Sequence, residues 1–184
     1  MFQRLLGKLA KALSTANVPY MIIGGQAVLV YGEPRLTKDI DVTIGVGLES
    51  LSKIRDLLLT INFSPLVEKD DFTMETMVLP CQDSETGIRV DVIFSHSPYE
   101  QQALDRVYKI KLEGVEVCFA GVEDVVIHKI IAGRPRDLED VETILLKNPD
   151  MDNMYIENWL RDFSEALNEP FLQRFEEIRK RASV

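Results

Sequence analysis

Hydrophobic positions change their period several times along the chain. Phe2, Leu5, Leu6, Leu9 and Leu13 recur at helical spacing and predict an amphipathic helix that ends near Asn17-Val18-Pro19. Tyr20 to Ile23 is a short apolar run with β-branched residues, the mark of a buried strand. Gly24-Gly25 stops it, and Gln26 to Tyr31 reads as a short helix closed by Gly32. Ile40, Val42 and Ile44 then alternate with Asp41 and Thr43, a period-two strand. The pattern further predicts a helix over 48–61, strands over 74–79 and 88–94, and a short helix after Pro98. Glu113-Gly114 joins strands over 107–112 and 115–119, a two-residue hairpin signal. From Gly121 onward the pattern is helical: 122–132, 135–146, 152–167 and 170–181, separated by Gly133, Asn148-Pro149 and Glu169-Pro170. A mixed α/β half is thus followed by a helical half, without repeats or low-complexity tracts.

The 184 residues suit about one domain, at the usual ~100–200 residues per domain. With 46% hydrophobic and 28% charged residues, the chain has the composition of a globular protein. The net charge of −9 argues against a broad basic surface for nucleic acid. Residues 13–32 carry no charge, but Ser14, Thr15, Asn17, Pro19, Gly24, Gly25 and Gln26 interrupt them, so no membrane span is expected. The N-terminal helix lacks a signal-type cleavage site, and a cytoplasmic location is expected. Cys81 and Cys118 lack the spacing of a disulfide framework or a zinc site and are expected to be reduced, buried thiols.

Three aspartates stand out. Asp39 and Asp41 are two apart on an otherwise apolar strand, so both leave its face on one side, about 6.6 Å apart along the backbone. Asp91 interrupts the later apolar strand Ile88-Arg89-Val90-Asp91-Val92 in the same way. Three acids on neighbouring strands repel one another unless a cation neutralises them, and hard oxygen-seeking ions such as Mg²⁺ suit carboxylates best. The structural alternative for each is a turn position for Asp39, a solvated face for Asp41 and an ion pair with Arg89 for Asp91. Gly24-Gly25 lies between strand and helix, where missing side chains let a phosphate reach backbone N–H groups; it equally suits a tight turn.

The order Ile23-Gly24-Gly25, then Arg35-Leu36-Thr37-Lys38-Asp39-Ile40-Asp41-Val42, then Val90-Asp91-Val92 resembles the nucleotidyltransferase superfamily of DNA polymerase beta and the small MNT-type proteins. The match covers about the first hundred residues. Where many members have Ser after the first glycine, this chain has Gly25 and offers only a backbone N–H. The resemblance implies an α+β fold: a mixed β-sheet flanked by helices over 1–120, followed by a helical region over 121–184 packed on that core. It implies transfer of a nucleoside monophosphate from an NTP to an acceptor hydroxyl, with release of pyrophosphate. Asp39, Asp41 and Asp91 are the expected metal ligands for two Mg²⁺ ions about 3.5–4 Å apart. Asp91 is also a candidate proton acceptor. The acceptor is open: a tRNA end, a protein hydroxyl or a small molecule. The alternative is a non-catalytic nucleotide- or partner-binding member of the same fold.

A second block, from His128-Lys129 to Arg134-Pro135-Arg136-Asp137-Leu138-Glu139-Asp140-Val141, looks like the Lys and Arg-Asp-x-x-Asp helices of the AbiEii-like branch. That branch includes toxins, which implies a possible antitoxin partner. Lys129 falls on the apolar face of its helix with Val122, Val125 and Val126, so it either snorkels or reaches a phosphate. Arg134 and Arg136 either meet an anion or pair with Asp137, Glu139 or Asp140. Asp137 and Asp140 either orient Lys129 or begin a solvated face. Arg35 either steers a phosphate or pairs with Glu33 or Asp39. The candidate nucleotide-binding set is therefore Gly24, Gly25, Arg35, Lys129 and Arg136, and the catalytic set is Asp39, Asp41, Asp91 and Lys129. His96 and His128 lack metal-ligand spacing, and Gly45-Val46-Gly47 reads as a turn.

Overall fold

The computed structural model describes residues 1–95 and 97–182, so His96 lies outside the described residues. By Cα proximity the chain forms two compact units, one of residues 1–26 and 36–120, the other of residues 27–35 and 121 onward.

The first unit is built on a seven-stranded mixed sheet in the order β3-β4-β5-β2-β1-β7-β6. Its strands are β1 (Tyr20–Ile23), β2 (Asp39–Ile44), β3 (Phe63–Pro65), β4 (Val78–Asp83), β5 (Arg89–Phe94), β6 (Tyr108–Leu112) and β7 (Val115–Phe119). The central pair β2 and β5 is parallel, β1 runs antiparallel to β2, and β4 runs antiparallel to β5. One face is apolar: Ile40, Val42 and Ile44 of β2 and Val90, Val92 and Phe94 of β5 are all buried. Helix α1 (Phe2–Thr15) packs on β7 and β6, and α3 (Leu51–Thr60) packs against β3. Lys8 of α1 donates to the fully buried Asp83 at 2.9 Å, and Asp83 is also held by the backbone and hydroxyl of Thr86. Since Asp83 shares the β4 parity of Cys81, the register partner of Val90, α1 covers the apolar face.

The strand expected over 74–79 begins later. Residues 71–76 form helix α4 (Asp71–Thr76), which Met77 ends in the left-handed conformation at φ 62°, and β4 starts at Val78. The short β3 has only three residues and lies below the length at which alternation is visible. The helix expected over 48–61 is a single 3-10 turn followed by α3. Helix α5 (Pro98–Asp105) starts at a reciprocal cap, in which Ser97 Oγ accepts from Glu100 N–H and Glu100 accepts from Ser97 N–H. Glu113 and Gly114 both have positive φ, as a two-residue hairpin turn requires. Cys81 is buried as expected, whereas Cys118 is half-buried on β7, opposite Lys109 of the outer strand β6.

Helix α2 (Gly24–Tyr31) begins in the first unit and ends in the second. The second unit otherwise contains α6 (Val122–Ala132), α7 (Pro135–Lys147), α8 (Asn153–Leu167) and α9 (Phe171–Ala182). Val126, Ile130, Val141, Ile144, Ile156, Leu160 and Phe175 form its core, each essentially inaccessible. Trp159 and Phe163 stack half-buried on α8 with ring centroids 5.9 Å apart. The segment 27–35 is held by Lys147, which donates to Gly32 O at 3.0 Å, and by Asn148, which donates to Tyr31 O at 2.9 Å. No helix among the described residues is long and apolar enough to cross a membrane.

Candidate active site

The polar face of the central strand pair carries the three sheet carboxylates. In the parallel ladder Asp39 lies opposite Arg89 and Asp41 opposite Asp91, so all four side chains leave one face. Their apolar neighbours Ile40, Val42, Val90 and Val92 point the other way into the core and fix this register, because a one-residue slip would bury the charges.

Gly24 stands next to this row. Ile23, the last residue of β1, is the register partner of Asp41, and Gly24 turns the chain from β1 into α2 at φ +63°. A Cβ at this position would lie 2.0 Å from Asp41 Oδ2, so both the backbone conformation and the space demand glycine. Gln26, buried in the first turn of α2, donates to Thr37 Oγ1 at 2.6 Å and more weakly to Asp39 O at 3.4 Å. It ties the start of the helix to the start of the aspartate strand. The only sequence signal for Gln26 is its polarity within the charge-free run 13–32, where it reads simply as an interruption of a membrane span.

Arg89 binds the third carboxylate. Its Nε donates to both oxygens of Asp91 at 2.9 Å, with the Arg89 side chain 52% exposed and that of Asp91 17% exposed. Hydrogen bonding to Asp91, opposed by burial and aided by the charges of Asp91, Asp39 and Asp41, raises the guanidinium above its ordinary pKa. The ion pair read as the structural alternative for Asp91 is therefore present, and the same guanidinium feels all three acids.

These residues fit a divalent cation in kind. The donors are hard carboxylates on adjacent strands, and the missing Cβ of Gly24 is what lets the Asp41 carboxylate lie against the start of α2. Among the described residues no group of three or more His, Cys, Asp or Glu is gathered closely enough to hold a metal ion.

The second unit brings together the other predicted charges. Lys129, 5% exposed, donates to Asp137 Oδ1 at 2.6 Å and lies 3.1 Å from Asp140 Oδ2. Arg35 reaches the same Asp140 oxygen at 3.3 Å, and Arg134 pairs with Asp137. Of the alternatives for Arg35, a pair with Glu33 or Asp39 gives way to Asp140, because Glu33 is taken by Lys147 at 2.6 Å. Burial pushes the Asp137 carboxyl up, but hydrogen bonds from Arg134 and Lys129 outweigh it and hold it below the usual carboxylate range. Gly133 in the left-handed conformation and Pro135 at the first turn of α7 set the corner that makes the α6–α7 cluster possible. Arg136 is exposed on α7.

Residues 3–181 match a family model described as a nucleotidyltransferase of unknown function (DUF6036). No curated protein matches the sequence. Among solved structures, an antigenic nucleotidyltransferase-like protein from Paracoccidioides brasiliensis superposes with a TM-score of 0.59 at 16% identity, over 94% of this chain and 92% of that one. ANT(2″)-Ia in complex with adenylyl-2″-tobramycin gives 0.54 at 16% identity over 97% of both chains. The lincosamide antibiotic adenylyltransferase LnuA, lincomycin-bound, gives 0.52 at 16% identity over 74% of this chain and 91% of that one. At such identities the likeness establishes the fold, a mixed sheet flanked by helices with a C-terminal helical region.

Proposed function

We propose, from the premise that this chain belongs to the DUF6036 nucleotidyltransferase family, that it moves a nucleoside monophosphate from an NTP such as ATP to an acceptor hydroxyl. The pairing of Asp41 with Asp91 beside the side-chain-free Gly24 is the observation that supports this activity most. In the reaction the acceptor O–H gives its proton to the Asp91 carboxylate, and its oxygen forms a bond to the α-phosphorus. The bond from that phosphorus to the oxygen bridging the β-phosphate breaks, and the electron pair leaves with pyrophosphate. Asp39, Asp41 and Asp91 would hold Mg²⁺, which when bound lowers the acceptor's pKa and offsets charge on the leaving group. The Gly24 and Gly25 amides at the start of α2 receive phosphate oxygens. Arg35 and Arg136 are the further phosphate candidates. Lys129, gripped by Asp137 and Asp140, serves as a positioning residue for α6 and α7.

One structural neighbour is described as an antibiotic adenylyltransferase and another is in complex with adenylyl-2″-tobramycin, which puts a small-molecule hydroxyl first among the acceptors, ahead of a tRNA end or a protein hydroxyl. The AbiEii-like assignment, and with it an antitoxin partner, rests on the 128–141 block alone. A cytoplasmic NTP pool is the proposed donor source. Incubation with labelled NTPs and a cell extract, followed by separation into RNA, protein and small molecules, tests the activity. Label in one fraction that disappears in Asp39→Ala and Asp41→Ala supports it, and label unchanged by both substitutions contradicts it.

A further inference from the structure

Three negative side chains share one face of β2 and β5, and the chain sets one of its own cations among them. Arg89 is placed by two constraints at once. It precedes Asp91 by two residues on the same strand face, and it is the direct register partner of Asp39. Its Nε is shared evenly between the two Asp91 oxygens, so both atoms that would ligate a metal are already engaged. Asp91 is largely enclosed, whereas Arg89 is half exposed and can leave without opening the core.

We infer that Arg89 is a built-in counter-cation of this site: it positions the Asp91 carboxylate and competes with a divalent cation for its two oxygens. The inference rests on the metal-dependent reading proposed above and assigns the site a regulator of its cation affinity. Metal binding then requires exchange of one cation for another at Asp91, so the protein holds a folded, charge-compensated site at low divalent concentration. A simple surface ion pair would instead stabilise the fold by about 0–1 kcal/mol and leave metal affinity unchanged.

Mn²⁺ titration of the nucleotide-free full chain, read by loss of the free-ion EPR signal, separates the two. Arg89→Met keeps the length of the side chain and removes the charge. It is expected to bind Mn²⁺ at least about tenfold more tightly than the original chain, since a full positive charge at ion-pair distance has been removed. Arg89→Lys keeps the charge and is expected to stay within about threefold of the original. The double variant Arg89→Met/Asp91→Asn is expected to lose the gain, which assigns it to Asp91 and not to altered folding. Equal or weaker Mn²⁺ binding by Arg89→Met overturns the inference while leaving the metal-dependent reading in place. Absence of Mn²⁺ binding in both the original chain and Arg89→Met overturns both.

Discussion

Replacing Gly24 by alanine tests the geometry at Asp41 with one carbon atom. Two costs are built into the position. A left-handed backbone at φ +63° costs a residue with a Cβ about 1–2 kcal/mol. The added Cβ would also sit 2.0 Å from Asp41 Oδ2, far inside contact, so the carboxylate must turn away. Gly114 separates these terms, because it has φ +87° and a Cβ added there would meet nothing within 4 Å. Gly114→Ala should lose about 2–8 °C in melting temperature, from about 1–2 kcal/mol at about 2–4 °C per kcal/mol for a chain of this size, and Gly24→Ala at least as much. Only Gly24→Ala should weaken Mn²⁺ binding, by at least about tenfold if the displaced carboxylate costs more than about 1.4 kcal/mol of ligation. Differential scanning calorimetry and the EPR titration give the two numbers. Mn²⁺ affinity in Gly24→Ala equal to that in Gly114→Ala would refute the reasoning.

The buried cluster of the second unit gives a contrast within one ion network. Lys129→Met should cost about 3 kcal/mol, the low end for breaking a buried pair, since Arg35 and Arg134 remain beside the aspartates. Arg134→Met removes a 74% exposed partner and should cost about 0–1 kcal/mol; urea denaturation of both variants checks the ordering. Stability should also fall in acid. Burial pushes Asp83 up, but hydrogen bonds from Lys8 and Thr86 hold it below the usual range, and Asp137 is likewise depressed. The unfolded chain therefore takes up protons first as pH falls. The stability these groups contribute is intact above their ordinary value of about 4 and lost as pH falls through the lower folded values. Urea melts at neutral and acid pH should show this decline, with a shallower slope in Asp83→Asn; a rise in stability on acidification would contradict it.

The aspartate strand was legible because period-two alternation survives in any sheet that buries one face: Ile40 and Val42 had to point inward, so Asp39 and Asp41 had to point out. The pairing of Asp41 with Asp91 was not, since register across β2 and β5 depends on which strands become neighbours. Around residue 74 the apolar Met74, Met77, Val78 and Leu79 suggested one strand, while a left-handed Met77 divides them between α4 and β4. Arg35 illustrates a further limit. Its candidate partners were local in sequence, yet Asp140 holds it from more than a hundred residues away. The grouping of residues 27–35 with the helical unit depends on contacts of the same kind, such as Lys147 with Gly32 at a separation of 115 residues.

Nucleotidyl transfer is tested most directly by the position of the label in the donor. With Mg²⁺, an NTP labelled at the α-phosphate should pass its label to an acceptor in the extract, whereas the same NTP labelled at the γ-phosphate should yield labelled pyrophosphate and no labelled acceptor. Asp41→Asn, which keeps the shape of the side chain, should abolish the α-label transfer. Transfer of the γ-label, or α-label transfer undiminished in Asp41→Asn, would contradict the account.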